Sequence, residues 1–293
     1  MAACGREGQK ASEVRKFALP EVPAMIIAPV ERANYLVAHY WKNFDFADTA
    51  MLHSEQFEKE IFPNYLGFLG AASLEKASGS LASLLNGMQG DTAVYNFFIS
   101  NLEHYLYDPN SPMRNEDLYI PVVKQMIASP AVDPTEKMRL EDRLSLAMKN
   151  RPGDKAADFV YTTDSGRTGR LYGLKSDWLI LFFNNPGCPA CRDIADEMMA
   201  SGVIPHLIET KKLIVLGIYP DEDLTAWFEY GASFPKEWIY ARDKSQIIRE
   251  KELYDLKAIP TVYLLDYQKR VVIKDAVTTQ QVVQTLAEWE DFQ

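Results

Sequence analysis

The chain has 293 residues, of which 47% are hydrophobic and 25% charged, and its net charge is -10. That length suits two domains rather than one core, and an acidic excess spread over both halves offers no basic footprint for a nucleic-acid partner. No stretch approaches the roughly 20 apolar residues of a membrane-spanning helix, and three cysteines are too few for a disulfide-stapled scaffold.

Residues 1–30 read as a tether. They are polar at first, then rich in Pro and Ala, with Pro20, Pro23 and Pro29 and little periodicity. At their start Met1-Ala2-Ala3-Cys4-Gly5 sets small residues before a cysteine. This resembles the cleavage site of a bacterial lipoprotein whose apolar signal has been removed. The resemblance implies lipid attachment at Cys4, a location in the bacterial periplasm or cell envelope, and membrane contact through that anchor alone. The plainer alternative is an incidental cysteine in a polar start.

Residues 31–150 read as an all-α domain of five or six helices. Leu74, Leu81, Leu84 and Leu85 recur at helical spacing. Asp91 caps a run that sets Val94, Tyr95, Phe98, Leu102 and Tyr105 on one face. Asp108-Pro109-Asn110-Ser111-Pro112 stops that helix. Helices follow over 115–128 and 134–149, the second opened by Asp133 as cap and Pro134 at the first helical position. The aromatic group Tyr35, Tyr40, Trp41, Phe44 and Phe46 reads as core, with a docking face as the alternative. His39, His53 and His104 lie among aromatics and read as packed or surface side chains rather than ligands.

Arg151-Pro152-Gly153-Asp154 marks the boundary to a domain over 151–293. Apolar strands at 159–162, 178–184, 213–219, 261–266 and 270–274 now alternate with helices at 189–200, 222–230, 245–253 and 279–290. Alternation of this kind implies a largely parallel sheet covered on both faces. Trp227, Phe228 and Trp238 are core or docking residues, and Arg249-Glu250-Lys251-Glu252 is a solvated helix face.

The chemistry concentrates after the strand at 178–184, in Asn185-Pro186-Gly187-Cys188-Pro189-Ala190-Cys191. A buried strand, a Pro-Gly turn and a helix in that order put Cys188 at the helix's first turn. Backbone N–H groups and the helix dipole favour a thiolate there, which is the nucleophile of disulfide exchange. Cys191 lies one turn further in, placed to attack a mixed disulfide and release the product. Pro189 occupies an early helical position that tolerates proline. A structural zinc needs four ligands. Only His206 follows nearby and there is no second cysteine pair, so the reading assigns no metal. The only redox group it requires is the Cys188–Cys191 disulfide itself.

Further along, Ala258-Ile259-Pro260-Thr261-Val262 sets a proline directly before a strand. With the cysteine pair some 70 residues before it, the domain resembles the thioredoxin superfamily. Gly153-Asp154-Lys155, Gly169-Arg170-Leu171 and an insertion at Tyr219-Pro220-Asp221 make it most similar to the TlpA-like and redoxin branch. The whole chain resembles exported thioredoxin-like proteins of Bacteroidetes with a helical N-terminal domain of unknown function.

That resemblance implies an α/β thioredoxin-like domain, with a central mixed sheet and helices on both faces, preceded by the all-α domain. It implies a cis Ile259–Pro260 bond, a substrate peptide paired to the Ile259 backbone and bordered by Gly187 and Pro189, protein disulfides as substrates and an upstream thiol as electron donor. Ile259 points toward reduction of clients. The sequence departs from the family in carrying Gly187 where thioredoxins have Trp, and Phe182 where they have a buried carboxylate that moves the proton of the second cysteine. Asp158 and Glu197 are the carboxylates left to consider. A redoxin-type peroxidase is disfavoured, because Leu181 and Asn185 stand where its Pro and Thr would be. The expected function is therefore an envelope thiol–disulfide oxidoreductase. The alternative is an envelope docking protein that uses the fold as scaffold.

Overall fold

The computed structural model describes residues 17–88, 90–130, 132–231 and 234–291. Cys4, with its expected lipid attachment, lies outside the described residues. No helix among those described is long and apolar enough to cross a membrane.

The first compact unit contains α1 (Pro29–His39), α2 (Thr49–Leu52), a π-helical turn at Phe57–Ile61 running into α3 (Phe62–Ala71), α4 (Leu74–Gly87), α5 (Thr92–Leu106) and α6 (Glu116–Ala128). Its helices begin where local chemistry satisfies their free N–H groups. Ser73 Oγ accepts from the Lys76 amide at 3.4 Å, and Asn115 Oδ1 from the Leu118 amide at 3.2 Å. In the aromatic group Tyr40 is buried at 1% exposed, while Trp41, Phe44 and Phe46 are half-buried and pack around it, the Trp41 ring 5.0–5.4 Å from those of Tyr40, Phe44, Tyr65 and Phe98. Tyr35, also half-buried, stacks on His39 at 4.2 Å.

The second compact unit takes in Tyr107–Arg114 and the chain from Val132 onward, including α7 (Pro134–Ala147). Local texture changes at residue 151, but packing divides the chain elsewhere. Lys274 Nζ donates to the carbonyls at the end of α7, Ala147 and Lys149, at 2.8 Å each, as cations do at helix C-termini. Asn150 Nδ2 donates to Leu253 O at 2.8 Å.

The sheet of this unit has β1 (Val160–Thr163), β2 (Thr168–Arg170), β3 (Trp178–Phe183), β4 (Leu213–Tyr219), β5 (Ile239–Arg242), β6 (Thr261–Asp266) and β7 (Val271–Ile273) in the order β2-β1-β5-β4-β3-β6-β7. Only β3–β4 and β4–β5 pair in parallel; the remaining pairs are antiparallel, so the sheet is mixed. The helices are α8 (Pro189–Ala200), α9 (Val203–Glu209), α10 (Leu224–Gly231), α11 (Ile247–Glu250) and α12 (Thr279–Asp291). All six residues of β3 are buried because the strand is covered on both sides. Trp178, Ile180 and Phe182 enter one core cluster, while Leu179, Leu181 and Phe183 enter the other.

β2, β5 and α9, with three, four and seven residues, fall outside the elements expected from the sequence. The helix expected over 245–253 shrinks to α11, because Gln246 (φ 57) and Glu252 (φ 46) adopt left-handed backbone on either side of it.

Candidate active site

Cys188 and Cys191 sit where β3, an interior strand between β4 and β6, delivers the chain to α8. The turn between them needs a left-handed residue, which Gly187 supplies at φ 72 without a Cβ to clash. Cys188 is then the N-cap of α8 and Pro189 its first helical residue, a place where no amide donor is lost. The Cys191 amide donates to Cys188 Sγ at 3.2 Å, and the Arg192 amide to the Cys188 carbonyl at 3.2 Å. Both cysteines are free thiols. Cys188 is partly exposed and Cys191 is wholly buried in the core cluster that also holds Phe182 and Met198.

This burial separates their chemistry. The Cys191 thiol is pushed up to about 12, first by removal from water and then by its hydrogen bond with the Cys188 side chain, while the Asn185 backbone pulls the other way. Cys191 therefore stays protonated until a base or a change of neighbour removes its proton. Phe182 is 0% exposed and lies edge-on to Trp238 at 5.9 Å, so an aromatic ring fills the position where the resemblance implies a carboxylate.

Neither suggested replacement carboxylate serves Cys191. Asp158 is bound by the Arg170 side chain and the Tyr172 amide, and its neighbours Ala157, Phe159 and Tyr172 belong to the cluster on the opposite face of the sheet. Glu197 is exposed on α8, turned away from the buried line of Cys191, Ala195 and Met198. Among the described residues, no group of three or more His, Cys, Asp or Glu side chains gathers as a metal site would require.

The Ile259–Pro260 bond is cis, and Ile259 packs, half-buried, against the cluster that contains Cys191. Cys188 packs against the same cluster, and because Phe183 pairs with Thr261, the cis-proline turn lies beside the end of β3 from which the chain runs on to Cys188.

Tyr230 of α10 lies near the two cysteines, a neighbour not anticipated from the sequence. It packs on that cluster, and its phenol is raised above its ordinary value, first by burial and then by the charges of Cys191 and Cys188. Its position in the insertion after β4 was visible; its approach to the cysteines was not, because it depends on how the insertion folds back. Asn184 is also 0% exposed. Its amide nitrogen donates to Phe182 O at 3.1 Å, its side-chain oxygen is buried without a partner, and Phe234 and Gly217 lie against it. Trp227 and Trp238 are buried core residues, whereas Phe228 is 57% exposed.

The family model described as a domain of unknown function, DUF5106, matches residues 4–150. Over nearly its whole length the chain is similar to the crystal structure of a thioredoxin-like protein from Bacteroides caccae. The two are 46% identical with a TM-score of 0.88, covering 94% of this chain and 99% of that one. The C-terminal domain of an uncharacterized protein from Bacteroides fragilis is 51% identical, covering 47% of this chain and 98% of its own, with a TM-score of 0.46. The thioredoxin domain of a thiol-disulfide oxidoreductase from Bacteroides vulgatus is 16% identical, covering 47% and 97%, with a TM-score of 0.42. No curated protein matches the chain.

Proposed function

We propose, for a chain that belongs to the thioredoxin-like family with an N-terminal DUF5106 domain, that it is a cell-envelope thiol–disulfide oxidoreductase reducing disulfides in other proteins. One observation carries the reading. A half-exposed Cys188 caps α8 and accepts the Cys191 amide, while Cys191 stands buried one turn behind it. An exposed acceptor sulfur at a helix N-terminus suits a nucleophile, and a buried partner thiol suits the resolving step.

In the first step the Cys188 thiolate attacks one sulfur of the client disulfide. A Cys188–client disulfide forms, the client S–S bond breaks, and one client thiolate leaves. In the second step Cys191 passes its proton to the client thiolate released in the first step and attacks Cys188 Sγ. The Cys188–Cys191 disulfide forms and the second client thiolate leaves, so two electrons pass to the client. The Ile259 backbone pairs with the client segment, and Gly187 and Pro189 border it. An upstream thiol restores the pair, and no further cofactor takes part. Cys4 supplies the lipid anchor in this reading.

Cys191→Ser tests it by removing the second step. Expected are Cys188-linked mixed disulfides with client proteins that disappear on adding thiol and are absent from the Cys188→Ser control. A Cys191→Ser protein with no thiol-sensitive adducts would overturn the reading and leave a docking protein on a redox-inert scaffold.

A further inference from the structure

Tyr107–Arg114 packs within the second compact unit, with one end on the loop that precedes Ile259 and the other on the turn between β7 and α12. At one end the Tyr107 ring lies between two cations, Arg143 and Lys257, each 4.7 Å from its centroid. Lys257 is two residues before Ile259 and pairs with Asp255 at 3.1 Å, with both side chains nearly buried. At the other end Arg114 closes on the turn between β7 and α12. Its Nη2 donates to Asp275 O at 3.1 Å and to Ala276 O at 3.5 Å, and lies 3.2 Å from Asp275 Oδ1. Its Nη1 donates to Pro109 O at 2.6 Å.

The turn so held is tied to the start of β6, just past the cis proline. The Ala276 amide donates to Val262 O at 2.9 Å, two residues past Pro260, and Ala276, Ile259 and Cys188 pack half-buried on one core cluster. Asp275 adopts φ 48, a left-handed conformation that Asp enters more readily than most residues. Arg114 holds the turn with charge-assisted bonds to both the side chain and the backbone of Asp275, from a side chain only 12% exposed.

We propose that Arg114 is a positioning residue for protein substrates: by fixing the Asp275–Ala276 turn it holds one wall of the surface that Ile259 and Cys188 present to an extended client segment. The inference rests on the oxidoreductase reading. An extended peptide needs that wall in place, whereas a small disulfide needs only the Cys188 sulfur. The guanidinium fork is the effective group, so Arg114→Lys keeps the charge but does not restore both backbone bonds.

The test uses the full chain with insulin as protein disulfide and a small aromatic disulfide, DTNB, as reference. For Arg114→Ala the expected result is a rise in KM for insulin on the order of tenfold, with kcat and the DTNB rate unchanged; Arg114→Lys falls between it and the parent. Equal losses on both substrates accompanied by a lower Tm would reduce Arg114 to a structural residue, and unchanged insulin kinetics in both variants would also overturn the proposal. A parent protein that reduces neither substrate would instead defeat the oxidoreductase reading itself, and this inference with it.

Discussion

The Cys191 amide donates to the Cys188 sulfur across 3.2 Å, so the backbone of the buried cysteine serves as the cap partner of the exposed one. The hydrogen bond and the burial together make the two thiols unequal. In the native reduced protein, iodoacetamide at pH 8 should alkylate Cys188 and leave Cys191 untouched until denaturant is added, as read by peptide mass spectrometry. Equal labelling of both would contradict the assignment of nucleophile and resolving thiol.

The same burial gives a pH signature. Folding raises Cys191 from 9.0 to about 12, so between those values the native state holds a proton that the unfolded state has released. The stability it contributes is complete below pH 9 and is lost as pH rises toward 12. Urea midpoints measured from pH 8 to 11 should therefore fall more steeply for the parent than for Cys191→Ser, which lacks the titrating group.

Tyr230 should report whether Cys188 and Cys191 are reduced or joined. Burial raises its phenol in either state, but the charges of Cys191 and Cys188 add to that only when the pair is reduced. A disulfide carries no charge, so Tyr230 should ionise at lower pH in the oxidised protein than in the reduced one. Tyrosine ring-carbon NMR, with the Tyr230 signal identified by its loss in Tyr230→Phe, reads this directly. Coincident titrations in the two states would remove Tyr230 from the neighbourhood of the cysteines.

Gly217 on β4 has no room for a side chain. An added Cβ would lie well inside contact distance of Phe234 Cζ and 3.2 Å from Asn184 Nδ2. Gly217→Ala should cost about 1–3 kcal/mol by overpacking, seen as a lower urea midpoint with unchanged slope. Phe234→Leu in the same chain should recover part of the loss, because the two sites share the clash.

In the helical unit Ser80 joins two buried groups: its hydroxyl donates to Val37 O at 2.7 Å and pairs with the Tyr65 hydroxyl at 2.8 Å. Ser80→Ala leaves both without that partner and should cost about 1–3 kcal/mol. It should also move Tyr65, already raised to about 12 by burial, further up, since the Ser80 bond lowers it. Thermal unfolding monitored by circular dichroism checks the first effect.

Features with a local cause could be read from the order of residues alone. The strand over 178–183, the Pro-Gly turn after it, Cys188 at the start of α8 and Pro260 before β6 each follow from a residue and its near neighbours, and the chain's resemblance to the thioredoxin-like fold follows from their succession. Where several neighbours were needed, the reading was incomplete. β2 and β5 went unread, and β5 gains its place by pairing with β4 and β1. The replacement of a carboxylate by Phe182 was visible in the sequence, but not that Asp158 faces the other side of the sheet or that Tyr230 folds back toward the cysteines. Arg114 and Asp275 are 161 residues apart and carry no shared pattern. Propensity, capping and turn chemistry act over a few residues and leave a mark in composition and spacing. The partner of a buried side chain is chosen by the packing of the whole chain, and only the tertiary structure decides it.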